Sequence, residues 1–558
     1  MTDLSRCVPP GARARAARAL VLSLALALTA CGGGGGSSSS PPPVPPPPPP
    51  PVGSGTDVVT YKNDLARTGQ NLTESVLTLA NVNSTSFGKL RFLATDGKVD
   101  AQPLYLSGLM IAGAAHNTVF VASENDTVYA FDSDSGTVLW QKSLLTPGEL
   151  PSDDRGCSQV TPTIGVTSTP VIDRSAGAHG VIYLVAMSID ASKTYHQRLH
   201  ALDVTTGAEQ FNGPVEIAAV YPAAAGGSNT FDAGSYEERA ALLLLSGVLY
   251  TSWTSHCDSS PYTGWVIAYN SRTLAQTGVL NVAANSAGDG PSIWMAGGGP
   301  AADSAGNVYV LTANGLFDAT LDANGFPSQG DYGNSFVKIA AGAGALTVAD
   351  YFTMYNEVAE SNGDVDLGSG GIMLLPDLTD SGGTTRHLAV GAGKDGNLYV
   401  VNRDSMGKFN PSNNSQIWQE LTGALAGGVF ATPAYFNGTV YYGPVGGALR
   451  AFRVTNAMLV GAPSSQSALA FAYPGTAPAI SAHGTADGIV WAYENVSAGP
   501  AVLHAYDAGN LATELYNSTQ AAGARDSIGT ANKFITPTIA DGRVFVAATD
   551  GVAVFGLR

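Results

Sequence analysis

The chain has 558 residues, a formal net charge of −17 and 13% charged residues, against ~25% in an average globular protein. An acidic chain without a basic run excludes an electrostatic nucleic-acid or anionic-lipid surface, so charged partners should be cations or basic protein surfaces. Its 67 glycines exceed the usual ~7% and suit closely packed sheets joined by tight turns.

Four arginines, Arg6, Arg13, Arg15 and Arg18, precede Ala19–Ala30, an uncharged run of 12 residues. That is the pattern of a secretory signal, since a membrane-spanning helix needs ~20 apolar residues. The run closes on Leu28-Thr29-Ala30-Cys31, which resembles the bacterial lipobox. The resemblance implies that Cys31 is diacylglycerated and becomes the first mature residue. Gly32 stands where an inner-membrane retention signal has Asp, which implies the outer membrane, facing periplasm or cell surface. Loss of residues 1–30 removes four Arg and one Asp, leaving 23 basic and 43 acidic residues, formally −20. Gly32–Gly36, Ser37–Ser40 and the proline tract Pro41–Pro51 then read as a tether, whose 11 residues of polyproline type span about 34 Å. The predicted plan is a signal over 1–30, a lipidated tether over 31–56 and a folded domain over 57–558, with membrane contact through the lipid alone.

Thr118–Ala122 and Thr127–Phe131 are β-branched, aromatic and largely apolar, and the polar turn Ser123–Asp126 separates them. They read as a hairpin buried between neighbouring sheets. Ala130-x-Asp132-x-x-x-Gly136-x-x-x-Trp140 follows. This spacing resembles the repeat of the pyrroloquinoline-quinone (PQQ) dehydrogenase family, in which Trp docks between adjacent blades while Asp and Gly shape the turn. A second copy keeps Ala201, Asp203 and Gly207, with Phe211 in the place of Trp. Decayed copies follow at Gly247–Asn270, Gly306–Ile339, His387–Asn402, Gly438–Arg453, Gly488–Asp507 and Gly542–Phe555. Eight copies predict an all-β, eight-bladed propeller; an open or seven-bladed ring with the fourth copy as an insertion is the alternative. The last copy ends after its third strand, Gly551–Leu557, and Phe87–Ala94 is a strand without a blade of its own. Phe87–Ala94 is therefore expected to complete the last blade and close the ring. Upstream, Tyr61–Asn71 resembles the lead-in of large bacterial PQQ-repeat-like lipoproteins, most of unassigned function.

Cys157 falls in a loop from an outer strand to the next inner strand, and Cys257 in a loop between second and third strands. Both loop types emerge on one face of a propeller, so a disulfide is feasible two blades apart; two free thiols are the alternative. The same face carries the acids Asp331, Asp364 and Asp366, oxygen ligands at irregular spacing that are weak candidates for a metal. Gly391-x-Gly393-x-x-Gly396 belongs to a hairpin turn and offers no helix N-terminus to a nucleotide. Gly297-Gly-Gly-Pro300 is read as relief of crowding near the axis. Alcohol dehydrogenases of the resembled family carry two adjacent cysteines against the quinone and a Ca²⁺ held by Glu, Asn and Asp. This chain has no Cys-Cys pair. The expected function is a binding or scaffolding lipoprotein without a cofactor, holding a protein, glycan or small ligand on its loop-rich face; whether it is an enzyme stays open. The alternative is a periplasmic dehydrogenase using PQQ and Ca²⁺. The chain also looks somewhat like the propeller lipoprotein of the outer-membrane barrel-assembly machine, but it is longer, and that role is not carried over.

Overall fold

Short runs of β-branched and aromatic residues, interrupted every few residues by Gly, Asp and Asn, form strands that are apolar on both faces and must be covered on both. The computed structural model satisfies this with a ring of eight antiparallel sheets, in which each sheet covers its neighbours. It describes residues 57–558 apart from 158, 224–225, 286–287, 289, 343 and 497–498. The signal, Cys31 and the tether lie outside the described residues.

Blades are numbered 1 to 8 and their strands A to D from the axis outward. Blade 1 comprises Leu104–Ile111, Ala114–Ala122, Thr127–Asp132 and Val138–Ser143. The A strands of blades 2 to 8 are Val171–Asp173, Leu243–Leu245, Ala301–Ala302, Met373–Leu374, Ala434–Phe436, Ala479–His483 and Thr538–Ala540. The fourth copy is a blade and not an insertion: Val308–Leu311, Ser335–Gly342 and Ala345–Thr353 pair in order outside Ala301–Ala302. Blade 8 takes its D strand from the other end of the chain, Phe87–Ala94 pairing antiparallel with Gly551–Leu557 from Phe87↔Leu557 to Ala94↔Gly551. Ring closure thus depends on strands more than 450 residues apart meeting in register, and it removes the open edge of the last blade. The middle strands are the most deeply buried, with all nine residues of Val181–Ile189 and all six of Thr127–Asp132 buried.

The repeat residues act through turns and docking. Asp132 accepts the backbone N–H groups of Asp134 (3.0 Å) and Ser135 (2.7 Å) and pairs with His116 at 2.6 Å. Asp203 does the same with Thr205, Thr206 and His179. Gly136 and Gly207 follow with φ of +82° and +68°, a region that disfavours side chains. Trp140 leans from the D strand of blade 1 onto the turn of blade 2, where its Nε1 donates to the Val204 carbonyl at 2.9 Å and its ring covers Gly207. Trp418 repeats this contact between blades 5 and 6, donating to the Ala457 carbonyl at 2.7 Å. Phe211 lies in the turn ahead of the short D strand Val215–Glu216, half-buried against the core between blades 2 and 3. It docks from a turn because Pro214 delays the start of that strand.

At the axis the inner edges of the blades meet an unusual partner. Val58–Asn71 runs around the ring and bonds to every blade in turn. Val58 exchanges two backbone bonds with Tyr105 at 2.9 Å, and Val59, Leu65, Ala66, Thr68 and Gly69 accept from Ile172, Ala302, Leu374, Tyr435 and Ile480 at 2.7 to 2.9 Å. Arg67 and Asn71 complete the circuit through side chains, donating to the carbonyls of Leu242 and Ile539. Six of the eight A strands follow a proline: Pro103, Pro170, Pro300, Pro433, Pro478 and Pro537. An innermost strand start is where a missing N–H costs no ladder bond. The exposed proline carbonyls are then used, Pro300 by Arg67 Nε at 2.9 Å, Pro433 by Lys62 Nζ at 3.1 Å, and Pro478 by Lys62 Nζ as well.

Trp140→Ala should lower stability by about 2–3 kcal/mol, below the ~3–5 of a fully buried Trp because one ring edge is exposed. Denaturant unfolding checks this; an unchanged midpoint would mean that the interblade contact contributes nothing.

Candidate functional site

Val58–Asn71 is the floor of a funnel that opens on the face carrying the D-to-A and B-to-C loops. Its walls are the segments that descend into the A strands, so each blade contributes a few residues just ahead of its inner strand. No side chain fits at two positions of one of these: a Cβ on Gly299 would stand 2.9 Å from the Arg67 guanidinium, and one on Gly298 2.5 Å from Thr432 Oγ1. The Gly297–Pro300 segment is thus demanded by crowding at the axis, as expected from its composition.

Four aromatic rings line the funnel. Trp294 and Phe534 meet edge to face at 5.8 Å, Phe430 and Tyr473 at 5.3 Å, and Phe534 lies 6.4 Å from Phe430 and 6.3 Å from Tyr473. Above them is a cavity of about 380 Å³ bordered by Trp294, Phe430, Tyr473, Asp364, Asp366 and Lys394. A cleft of about 650 Å³ continues outward past Asp258 and Asn314, which the two spaces share, to Leu316 and Val358.

The charges around the axis come from separate blades. Lys98 pairs with Asp100 at 2.9 Å, and Asp100 also accepts from Asn532 at 3.0 Å. Burial opposes ionisation of Asp100, but the adjacent Lys98 charge overcomes it and holds the carboxyl well below its usual range. Glu124 is pushed far up by burial and by the neighbouring Asp100. Glu124 still accepts from the Gly165 N–H at 2.7 Å and from Thr167 Oγ1 at 3.0 Å, and Glu238, also raised by burial, accepts from Ser168. Arg239 reaches from blade 3 to the axis. It stands over the Phe534 ring at 5.1 Å and against Gly297, and it is 3% exposed. Among the described residues its guanidinium makes no hydrogen bond or ion pair. A cation over an aromatic ring is worth about 0.5–2 kcal/mol, while withdrawing an ion from water costs several. The ring therefore does not offset the burial. Lys533 beside it is half-buried, and its pKa is lowered by burial first and then by the like charges of Lys98 and Arg239.

Cys157 and Cys257 form a disulfide with a Cα–Cα distance of 6.1 Å that pins the rim of the funnel across blade 2. Closing a chain loop of 100 residues is worth up to ~4.7 kcal/mol in the chain-entropy model. His256 is buried next to it, 3.6 Å from Glu237. Among the described residues, Cys157, His256 and Cys257 are the one group of such side chains close enough to share an ion, and its two sulfurs are committed to each other.

The acids singled out in the sequence do not converge. Asp364 and Asp366 both hold Lys394, at 2.9 and 2.6 Å, and Asp366 also accepts from the Asn314 N–H. Asp331 lies elsewhere, buried in the B-to-C loop of blade 4 with the Asn285 N–H at 3.3 Å. These donors do not fit a calcium ion. Arg239 and Lys533 escaped the sequence reading. Glu237-Glu238-Arg239 resembles a solvated turn, and the recurring proline ahead of the inner strands was the one signal that marked these segments as axial.

The first part of the chain, residues 65–212, matches a family model described as outer membrane protein assembly factor BamB. Among solved structures, the quinohemoprotein alcohol dehydrogenase of Comamonas testosteroni superposes with a TM-score of 0.59 at 16% identity, over 90% of this chain and 80% of that one. A quinohemoprotein alcohol dehydrogenase of Pseudomonas putida gives 0.56 at 14%, with the same coverages. A europium-containing methanol dehydrogenase gives 0.55 at 14%, covering 90% of this chain and 98% of that one. At such identities the likeness is one of fold. No curated protein matches the chain in sequence. The chain is an eight-bladed β-propeller closed by its N-terminal strand, and its blades are of the PQQ-repeat-like kind.

Burial raises Asp331 to about 6. The folded state then prefers the neutral acid, whereas the unfolded chain titrates near ~3.9, so stability falls as pH rises from about 4 to about 6. Asp331→Asn should raise stability at pH ~7.5 by about 1 kcal/mol, allowing for solvent screening, with no gain at pH ~3.5. Melting curves at the two pH values test the sign.

Proposed function

We propose that this chain is an exported, lipid-anchored propeller that binds a ligand in its axial funnel, and that it is a binding module and not a dehydrogenase. The observation that supports this best is the funnel itself, a recess of about 380 Å³ with aromatic walls and a floor bonded to all eight blades. Such a floor is preorganised, which lowers the ordering cost of binding. A calcium-dependent quinone site finds little support, because Asp364 and Asp366 are both tied to Lys394 and the sequence has no Cys-Cys pair. The signal run Ala19–Ala30 and the lipobox cysteine Cys31 support export and anchoring, with 32–56 holding the propeller away from the bilayer. An envelope address agrees with the family model over 65–212, whose description is that of an outer-membrane assembly factor.

Two measurements test the two halves of the reading. Full-length protein extracted from membranes in detergent, mixed with PQQ and Ca²⁺, should retain no quinone absorbance on gel filtration and reduce no dye with alcohols or sugars. Retained quinone together with dye reduction would overturn the binding-module reading. Cys31→Ser should leave the membrane fraction with an unchanged melting temperature, since lipid and fold are separated by the tether. A Cys31→Ser protein that still sediments with outer membranes after a salt wash would overturn the anchor.

A further inference from the structure

We infer that the ligand of the funnel is a neutral saccharide, held as the end of a linear glycan whose terminal ring lies against Trp294, Phe430 and Tyr473 and whose next rings follow the cleft outward. The inference rests on the binding reading above and adds the chemistry of what is bound. The space is the cavity of about 380 Å³ that these three aromatic rings border, and it joins the cleft of about 650 Å³ at Asp258 and Asn314, which border both. The two form one path from the aromatic rings to the rim at Leu316 and Val358, which are 45% and 67% exposed. A compact molecule needs only the inner space; an extended chain uses both.

The polar groups that border this path include both donors and acceptors without partners. Among the described residues, Trp294 Nε1, the Tyr473 hydroxyl and the Gln159 side-chain amide make no hydrogen bond. Asp258 accepts from Ser255 Oγ at 2.8 Å with one oxygen, and Asn314 donates its Nδ2 to Asp364 at 3.3 Å, which leaves a carboxylate oxygen and an amide oxygen as acceptors. A sugar hydroxyl donates and accepts at once, so a saccharide uses both kinds, while the C–H face of its ring covers an aromatic face. A cation would leave the donors unused and would meet Lys394 at the border and Arg239 on the Phe534 ring, whereas an anion would meet Asp258, Asp364 and Asp366. The backbone is bent to hold these side chains in place. Met295 and Ala296, directly after Trp294, have φ of +44° and +46°, and Phe534 has +64°, in the left-handed region that such side chains disfavour. Strain of this kind gathers where a side chain must be presented to a ligand.

Cellotriose, maltotriose and triacetylchitotriose, titrated calorimetrically into the full-length protein in a detergent without a sugar headgroup, test the inference, with choline and benzoate as charged controls. At least one saccharide should bind one to one and neither control should. Tyr473→Ala and Asp258→Ala should each weaken that saccharide by at least about tenfold, and both should melt like the parent because both positions are exposed. Asp258→Asn keeps an acceptor oxygen without the charge and should bind within about threefold of the parent, a retention that recognition of a cation would not allow. Binding of none of the three saccharides, equal binding of a charged control, or parent-like affinity in both alanine variants would overturn the saccharide. The binding reading is judged separately: a non-sugar molecule released from the purified protein and identified by mass spectrometry would keep it, and retained quinone with dye reduction would remove it.

Discussion

The inner edge of a propeller is its difficult place. Eight short strands end there with N–H and C=O groups that face one another across a narrow channel, too far apart to pair and too enclosed to be hydrated well. Here the chain meets that demand with a segment of its own that precedes the blades. Val58–Asn71 supplies carbonyls to the inner strands of blades 2, 4, 5, 6 and 7, exchanges bonds with blade 1, and sends Arg67 and Asn71 to blades 3 and 8. Lys62 and Arg67 are buried at 1% and 0% exposure because the proline carbonyls at the strand starts need donors. Ring closure by Phe87–Ala94 follows from the same course, since the segment that leaves the axis emerges beside the unfinished blade 8.

This arrangement explains what could be read from the residues and what could not. Blade 1 was legible because its hairpin, its Asp132–Gly136 turn and Trp140 are all local in sequence, each with a physical reason that needs no other blade. The closing strand was legible by subtraction, from a blade short of one strand and a strand short of a blade. The disulfide followed from assigning Cys157 and Cys257 to loops of one face. The axis was not legible in this way. Tyr61–Asn71 has neither a period of two nor one of 3.6, and its partners are spread from Tyr105 to Ile539. Trp418 was passed over because the turn ahead of it has lost the Ala-x-Asp pattern, although its contact with Ala457 is the one Trp140 makes with Val204. Asp364 and Asp366 looked like ligands in sequence because Lys394, which pairs with both, lies about 30 residues on in a turn between strands of another sheet.

The funnel also joins two electrostatic scales that point in opposite directions. The chain as a whole is acidic, at −17, and repels anions at long range. Beyond a Debye length of about 8 Å at physiological salt that repulsion is largely screened, whereas charges in the water-poor funnel are screened much less. Close to Arg239 the field is set by Lys98, Lys533 and the arginine itself on one side and by the Asp100 carboxylate, which Lys98 and Arg239 hold ionised, on the other. Burying a guanidinium without a hydrogen-bonding partner weakens the fold, and the blades tolerate it because the deficit is confined to one residue beside a floor anchored to all eight of them. Phe534 covers the Arg239 guanidinium on one side and Gly297 borders it on another.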